Sequence, residues 1–137
     1  MEQKDYILRE IEKIGMIISL IRQKLFGGTK NQSVTVEMQL KDLKEMLLSG
    51  INFDLDEFMS LNIEDSNNYL FGFKGFSVEN IEYLAESISE ISLGENVSAS
   101  KKYLEKALQL FELCNLKSKT YSLKRETNIE TIKSLLF

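Results

Sequence analysis

The sequence predicts an all-α fold, a bundle of five to six helices, and three observations support this prediction. Apolar residues recur with helical spacing along nearly the whole chain. The chain has no proline, whereas sheet-rich folds depend on proline and glycine for their turns. The best candidate strand, residues 33–36, alternates for only four residues and runs directly into helical spacing. With 137 residues the chain fits one domain, residues 1–137.

Residues 1–50 are predicted to form an antiparallel helix hairpin. The first helix runs from about Gln3 to Phe26 and ends at Gly27-Gly28, because glycine readily adopts the conformation of a helix C-terminus. Its apolar seam, spaced by four and three residues, consists of Ile7, Ile11, Ile14, Ile18, Ile21 and Leu25. After a loop over residues 29–33, the second helix runs from about Val34 to Ser49 and is capped by Gly50. The short connection favours antiparallel packing.

The first helix carries more apolar residues than its seam requires. Residues 16–21 read Met-Ile-Ile-Ser-Leu-Ile. Either helices of the same chain bury this stretch on two sides, or Ile17 and Leu20 contact a second subunit. Gly15 costs up to about 1 kcal/mol relative to alanine inside a helix, and a close helix crossing would offset that cost.

Residues 51–76 are predicted as short helices and a connector. One or two turns follow a cap at Asn52 or Asp54, and a second short helix over Ile63–Phe71 ends at Gly72. The segment 69–76 contains four aromatic residues and two glycines. These residues either line a ligand pocket, where glycine lets the backbone approach the ligand, or fill the core between two helices.

Residues 77–137 are predicted as a helix hairpin followed by a final helix. Ser77 is the N-cap of a helix that reaches about Leu93 and is stopped by Gly94. The next helix spans about Ser98–Lys117. A polar link then leads into the last helix, Ser122–Leu136.

This hairpin resembles a tetratricopeptide repeat over some 40 of the 137 residues. Ser100, Leu104 and Ala107 have the small–large–small spacing of the second repeat helix, and Leu84-Ala85 and Ile88 take the corresponding places in the first. The turn is about three residues too long for that repeat, and the closing proline is missing. The resemblance implies closely packed helix pairs in the C-terminal half.

The whole chain also resembles a family of short, uncharacterised bacterial all-helical proteins with tetratricopeptide-like helix pairs. The likeness lies in the opening Lys4-Asp5-Tyr6-Ile7-Leu8-Arg9, in the stretch Tyr103–Leu108, and in the link from Ser118 to Ser122. The family has no assigned activity. The resemblance therefore implies a fold and no chemistry.

Several catalytic and metal chemistries are excluded by composition. The chain has no histidine, which rules out histidine-based triads and histidine-ligated zinc. Its one cysteine, Cys114, cannot form an internal disulfide or a thiolate zinc site, and it lies on an apolar stripe typical of the core. We identify no catalytic residue, expect no metal or cofactor, and favour a non-catalytic role.

Four glutamates, Glu79, Glu82, Glu86 and Glu90, follow one face of the helix after Ser77. Carboxylates at this spacing ligate metals in di-iron bundles, but those sites also use histidine. We therefore expect a solvated acidic face.

Charge is distributed unevenly along the chain. Residues 31–97 carry thirteen acidic and three basic residues, whereas residues 98–137 carry eight basic and four acidic ones. The acidic middle does not favour nucleic acid as a partner. A basic cluster near a helix start is a candidate contact for an anion or a peptide, and it consists of Lys117, Lys119, Tyr121, Lys124 and Arg125. Alternatively, the cluster neutralises the acidic middle of its own chain.

A cytoplasmic location is expected, with no membrane association. The densest apolar run, Ile14–Ile21, is far shorter than the roughly 20 residues that cross a bilayer. The amphipathic, partly acidic start is not typical of a targeting peptide.

Two functions follow as hypotheses. The first is a non-catalytic module that binds a protein partner or associates with itself. The alternative is a small-molecule-binding protein, or a minor carboxylate-based enzyme, that uses segment 69–76.

Overall fold

The computed structural model describes residues 2–27, 35–93 and 97–137, which form seven α-helices and no strand. In chain order the helices are α1 (Glu2–Phe26), α2 (Val36–Ile51), α3 (Leu55–Ser60), α4 (Ile63–Phe71), α5 (Val78–Leu93), α6 (Val97–Ser118) and α7 (Leu123–Leu136). The all-α class is confirmed, but the predicted count of five to six helices is wrong. None of the helices in these ranges is long and apolar enough to span a bilayer.

Both short segments predicted after α2 are helices with caps of their own, and this brings the number in the described residues to seven. Leu61 leaves the helical conformation after α3, with φ −87° and ψ 152°. Asn62 then starts α4, since its side chain accepts a hydrogen bond from the Asp65 amide at 2.8 Å. Asp54 caps α3 in the same way, accepting from the Glu57 amide at 3.1 Å. Each cap supplies an acceptor to an amide that has no partner within its own helix.

Gly50 is not the cap of α2. The helix continues to Ile51, and Asn52 ends it in the left-handed conformation with φ 59°. Gly50 lies inside α2, where a Cβ atom would come within 2.9 Å of the Ile17 side chain. The glycine therefore allows α1 and α2 to pack closely.

Other predicted helix ends agree with the structure. The Gly27 amide donates to the Gln23 carbonyl at 2.9 Å at the end of α1. Ser77 and Ser122 accept from the Asn80 and Arg125 amides at 3.3 and 3.2 Å, as N-caps do. The predictions for Gly28, the loop at 29–33 and Gly94 lie outside the described residues.

The chain divides into two compact units, Met1–Asn80 and Ile81–Phe137. In the first unit α1 packs against α2, α2 against α3, and α3 against α4. Phe53 is fully buried in this unit and contacts four aromatic rings at centroid distances of 5.3–5.5 Å. These rings belong to Phe58, Tyr69, Phe73 and Phe76.

One buried amide ties the connector between α4 and α5 to α1. Asn80 is 3% exposed, and its Nδ2 donates to the carbonyls of Ile11 at 3.0 Å and Gly75 at 2.8 Å. Gly15 makes room for this side chain, because a Cβ there would lie 3.1 Å from Asn80 Oδ1. Gly75 touches α1 directly, since a Cβ would overlap the Glu10 carbonyl. We call this arrangement the Asn80 clamp.

In the second unit α6 packs along α7, and α5 is buried on every face over residues 84–89. Two buried serines of α5 satisfy their own hydroxyls: Ser87 donates to the Tyr83 carbonyl at 2.8 Å and Ser92 to the Ile88 carbonyl at 2.7 Å. Cys114 is buried, as predicted. The apolar core of this unit includes Leu84, Ala85, Ile88, Leu104, Ala107, Leu110, Phe111, Ile129 and Ile132.

Candidate functional site

The predicted site residues lie in two places. Ile17 and Leu20 are on α1 in the first unit. The five others lie where α6 meets α7 in the second unit, and we call residues 115–125 the α6–α7 corner.

The link inside this corner is a tight, hydrogen-bonded turn. Lys119 adopts the left-handed conformation with φ 56°, and its amide donates to the Asn115 carbonyl at 3.3 Å. Ser118 Oγ accepts from the Thr120 amide at 3.3 Å. Together with the Ser122 cap, these contacts define the direction in which α7 leaves α6.

Arg125 anchors the corner from within. The residue is 5% exposed, and its Nη2 pairs with Glu82 Oε1 on α5 at 2.9 Å. Its Nη1 donates to Asn115 Oδ1 at 3.0 Å and to Ser118 Oγ at 3.2 Å. The hydrogen bond that Arg125 donates to Glu82 raises the pKa of the guanidinium, which therefore stays charged. Three helices meet at this one side chain, so the guanidinium points into the unit and not toward a ligand.

Lys124 also pairs with α5. Its exposed amine lies 3.4 Å from Glu86 Oε1, and Glu86 is buried. The expectation of a solvated acidic face is therefore wrong for Glu82 and Glu86, whereas Glu79 and Glu90 are exposed. The physical reason is that the middle of α5 is buried, and the start of α7 supplies cations to the two middle glutamates. For Arg125 and Lys124, the arrangement matches the alternative in which the basic cluster neutralises acidic residues of its own chain.

The outer surface of the corner is apolar and basic. Leu116, Tyr121 and Leu123 are 74%, 77% and 70% exposed. Lys117 and Lys119, between them in sequence, are exposed as well. Large apolar side chains this exposed and this close in sequence are typical of binding surfaces.

Sequence reasoning found Tyr121 and the lysines but missed Leu116 and Leu123. A signal was present for Leu116, because it lies off the apolar stripe of α6 that ends at Cys114. Leu123 directly follows a capping serine, a position that faces solvent in many helices. Neither residue has a core position to occupy.

The α1 candidates are not equivalent. Ile17 is half-buried against Gly50 of α2, within the same unit. Leu20 is 48% exposed, and Met16, one turn earlier, is more exposed still. An α1 interface in solution would therefore be formed by Met16 and Leu20, with Ile17 supporting the hairpin.

Segment 69–76 contributes to the core and also borders a surface groove. Tyr69, Phe73 and Phe76 pack around Phe53 in the core, and the Tyr69 hydroxyl accepts from the Asp54 amide at 2.9 Å. The turn at 72–75 also lines a groove of about 180 Å³ beside α1. Glu10 is the one carboxylate among the described lining residues, whereas a carboxylate-based enzyme of the predicted kind would use a pair of carboxyl groups.

No family model matches the sequence, and no curated protein or solved structure is significantly similar to it. The two resemblances described above therefore stay predictions. Within residues 2–27, 35–93 and 97–137, no three thiol or carboxyl groups come together as metal ligands. Any function must be argued from the residues themselves, and the α6–α7 corner is the surface whose residues are hardest to explain by folding alone.

Proposed function

We propose that the chain is a non-catalytic protein-interaction module that binds a partner segment at the α6–α7 corner. The observation that carries the proposal is the exposure of Leu116, Tyr121 and Leu123 on one short stretch of chain. Tyrosine is enriched at interfaces because it buries a large apolar ring and keeps a polar tip.

The positive charge on the outer surface of the corner favours an acidic partner segment. Lys117 and Lys119 are exposed on the outer surface of the corner, whereas Arg125 and Lys124 pair with glutamates of α5. Residues 115–125 include no acidic residue. A partner segment with apolar anchors flanked by Asp or Glu complements this surface, and complementary charge raises the association rate and excludes basic competitors.

Rigidity supports the same proposal. The buried Arg125 network connects α5, α6 and α7, and the turn between α6 and α7 is hydrogen-bonded throughout. A surface held in one conformation before binding loses little conformational entropy on association. The corner is therefore presented to a partner ready-formed.

A tetratricopeptide-like arrangement of α5 and α6 is the finer part of this proposal. Its support is that the apolar residues carrying the resemblance, Leu84, Ala85, Ile88, Leu104 and Ala107, are all fully buried. Helix pairs of this kind present one face to peptides.

The second interaction that we propose is self-association of the chain through Met16 and Leu20 of α1.

The first experiment is a titration of ¹⁵N-labelled protein with a designed amphipathic peptide that alternates Leu and Phe anchors with Glu. The same peptide with Lys in place of Glu is the charge control. We expect the acidic peptide to shift the amide signals of residues 116–125 and the basic peptide to bind more weakly. Tyr121→Ser and Leu123→Ser should each weaken binding about five- to thirtyfold.

Leu48→Ser is the matched control, because Leu48 is an exposed leucine of the first unit. Equal binding of both peptides, or equal losses in Leu48→Ser and Leu123→Ser, would reject the corner as the binding surface. Light scattering tests self-association separately. A wild-type dimer that becomes a folded monomer in Met16→Glu/Leu20→Glu supports the α1 interface, and a wild-type monomer rejects it.

A further inference from the structure

The groove of the first unit lies between α1 and the turn at residues 72–75. Both walls are fixed by the Asn80 clamp, whose amide holds the Ile11 and Gly75 carbonyls at 3.0 and 2.8 Å. The Gly75 backbone rests directly on the Glu10 carbonyl, since a Cβ would lie 2.6 Å from the carbonyl carbon. The groove therefore exists before any ligand arrives.

Its floor is apolar and its rim is charged with both signs. Ile14 and Ile51 are buried beneath it, and Phe73 is anchored in the aromatic cluster around Phe53. Lys13 and Lys74 line the groove from opposite walls, and Glu10 lines it from α1. Two lysine ammonium groups, one carboxylate and an apolar floor are complementary to a ligand that carries a carboxylate, an ammonium group and an apolar side chain.

Tyr6 lies beside the Glu10 carboxylate on the rim of the groove. A hydrogen bond to Glu10, and then the charge of that carboxylate, raise the pKa of the Tyr6 phenol. Glu10 and Tyr6 are one helical turn apart on α1, which is the spacing at which side chains meet.

The volume limits the ligand to a small molecule. A groove of about 180 Å³ is well below the 300–1,000 Å³ typical of drug-sized sites. Because a water molecule takes about 30 Å³ in the liquid, this space holds about six waters, or a ligand of about ten heavy atoms or fewer.

We propose that this groove binds a zwitterion of amino-acid size with an apolar side chain. Its carboxylate faces Lys13 and Lys74, its ammonium faces Glu10, and its side chain covers Ile51 and Phe73. This site uses none of the residues of the α6–α7 corner, so it stands or falls independently of the proposed protein-binding function.

The probe is L-leucine, with two truncated analogues: 4-methylpentanoate, which lacks the ammonium, and 3-methylbutylamine, which lacks the carboxylate. Binding is followed by amide shifts in ¹⁵N-labelled full-length protein. We expect leucine to bind with about millimolar affinity and to shift the amides of residues 6–14 and 72–75. Each analogue should bind about two- to fivefold more weakly, which corresponds to one partly exposed ion pair.

Two variants assign the charges. Lys74→Ala should weaken the binding of leucine and of 4-methylpentanoate by about two- to fivefold and leave the binding of 3-methylbutylamine unchanged. Glu10→Gln should weaken the binding of leucine and of 3-methylbutylamine and leave that of 4-methylpentanoate unchanged. Lys101→Ala, at an exposed lysine of α6, is the control and should bind all three like the wild type.

Two results would overturn the proposal. One is the absence of shifts at the groove up to the solubility limit of leucine. The other is methylpentanoate binding as tightly as leucine, since this would show that Glu10 does not recognise an ammonium group. The analogue series on the wild-type protein decides the question even if a variant fails to fold.

Discussion

The two units bury polar groups of different kinds. The described part of the first unit buries Asn80 and Ser66, both neutral. The described part of the second unit buries three charged residues, Glu86, Lys106 and Arg125, in addition to neutral serines. A neutral amide between two carbonyls needs little charge compensation, whereas a buried ion is stable only with a partner of opposite charge. The first unit therefore joins its elements through close backbone contact, and the second through charge pairing.

The largest expected effect comes from breaking the charge pairing. Arg125→Ala leaves Glu82 without its cation, and removing one partner of a buried pair costs about 3–5 kcal/mol. The free energy of unfolding is measured by urea denaturation, which is monitored by circular dichroism. Lys133→Ala, on the exposed side of α7, should change that free energy by less than about 0.5 kcal/mol. A loss below about 1 kcal/mol in Arg125→Ala would mean that the pair is effectively at the surface.

A smaller decrease in the free energy of unfolding is expected for a substitution in the first unit. Asn80→Ala removes the two hydrogen bonds that its amide donates to the Ile11 and Gly75 carbonyls, and at a net value of about 0.5–1.5 kcal/mol for each bond this costs about 1–3 kcal/mol. The same urea denaturation measures it, with the exposed Asn68→Ala as the matched control. A loss in Asn80→Ala as large as that in Arg125→Ala would contradict the distinction between neutral and charged burial.

A double substitution removes both charges of the Glu82–Arg125 pair. In Glu82→Leu/Arg125→Met the buried pair becomes an apolar pair, and such exchanges range from neutral to stabilising by about 1–4 kcal/mol. Arg125 Nε has no hydrogen-bond acceptor among the described residues, so its removal also eliminates an unsatisfied donor. We expect the double variant to be within about 1 kcal/mol of the wild type or more stable. If it is as unstable as Arg125→Ala, the guanidinium holds the three helices in a way that apolar contact does not replace.

The smallest effect is a pH dependence at Lys106. Burial, and then the nearby charge of Lys102, lower the pKa of Lys106 below its ordinary value of 10.5. In the window between the folded-state pKa and 10.5 the unfolded chain binds more protons, so stability rises with pH. The free energy of unfolding of the wild type minus that of Lys106→Met should therefore increase as the pH rises toward 10.5. In a Lys102→Met background the increase should shrink, and a difference that falls with pH would contradict the assignment.

Local features of the fold were predictable from the sequence, and contacts between distant segments were not. Asp54, Ser77 and Ser122 cap helices because each accepts a hydrogen bond from an amide three residues later. Gly50 looked like a cap by the same local rule, but its role depends on Ile17, on another helix. Nothing near Gly75 in the sequence indicates that it touches Glu10.

The candidate site shows the same division. Composition was enough to identify the basic cluster at Lys117–Arg125. It could not decide which of the cations turn inward, because that depends on how deeply α5 is enclosed. Glu86 was expected in solvent for that reason, and it is buried beside Lys124.

The Asn80 clamp also has a consequence for synthesis on the ribosome. Asn80 donates to a carbonyl 69 positions earlier in the chain. At translation rates of about 5–20 residues per second, the carbonyl of Ile11 waits roughly 3 to 14 s before its partner is made. During this interval α1 has only the elements already made to pack against, chiefly α2.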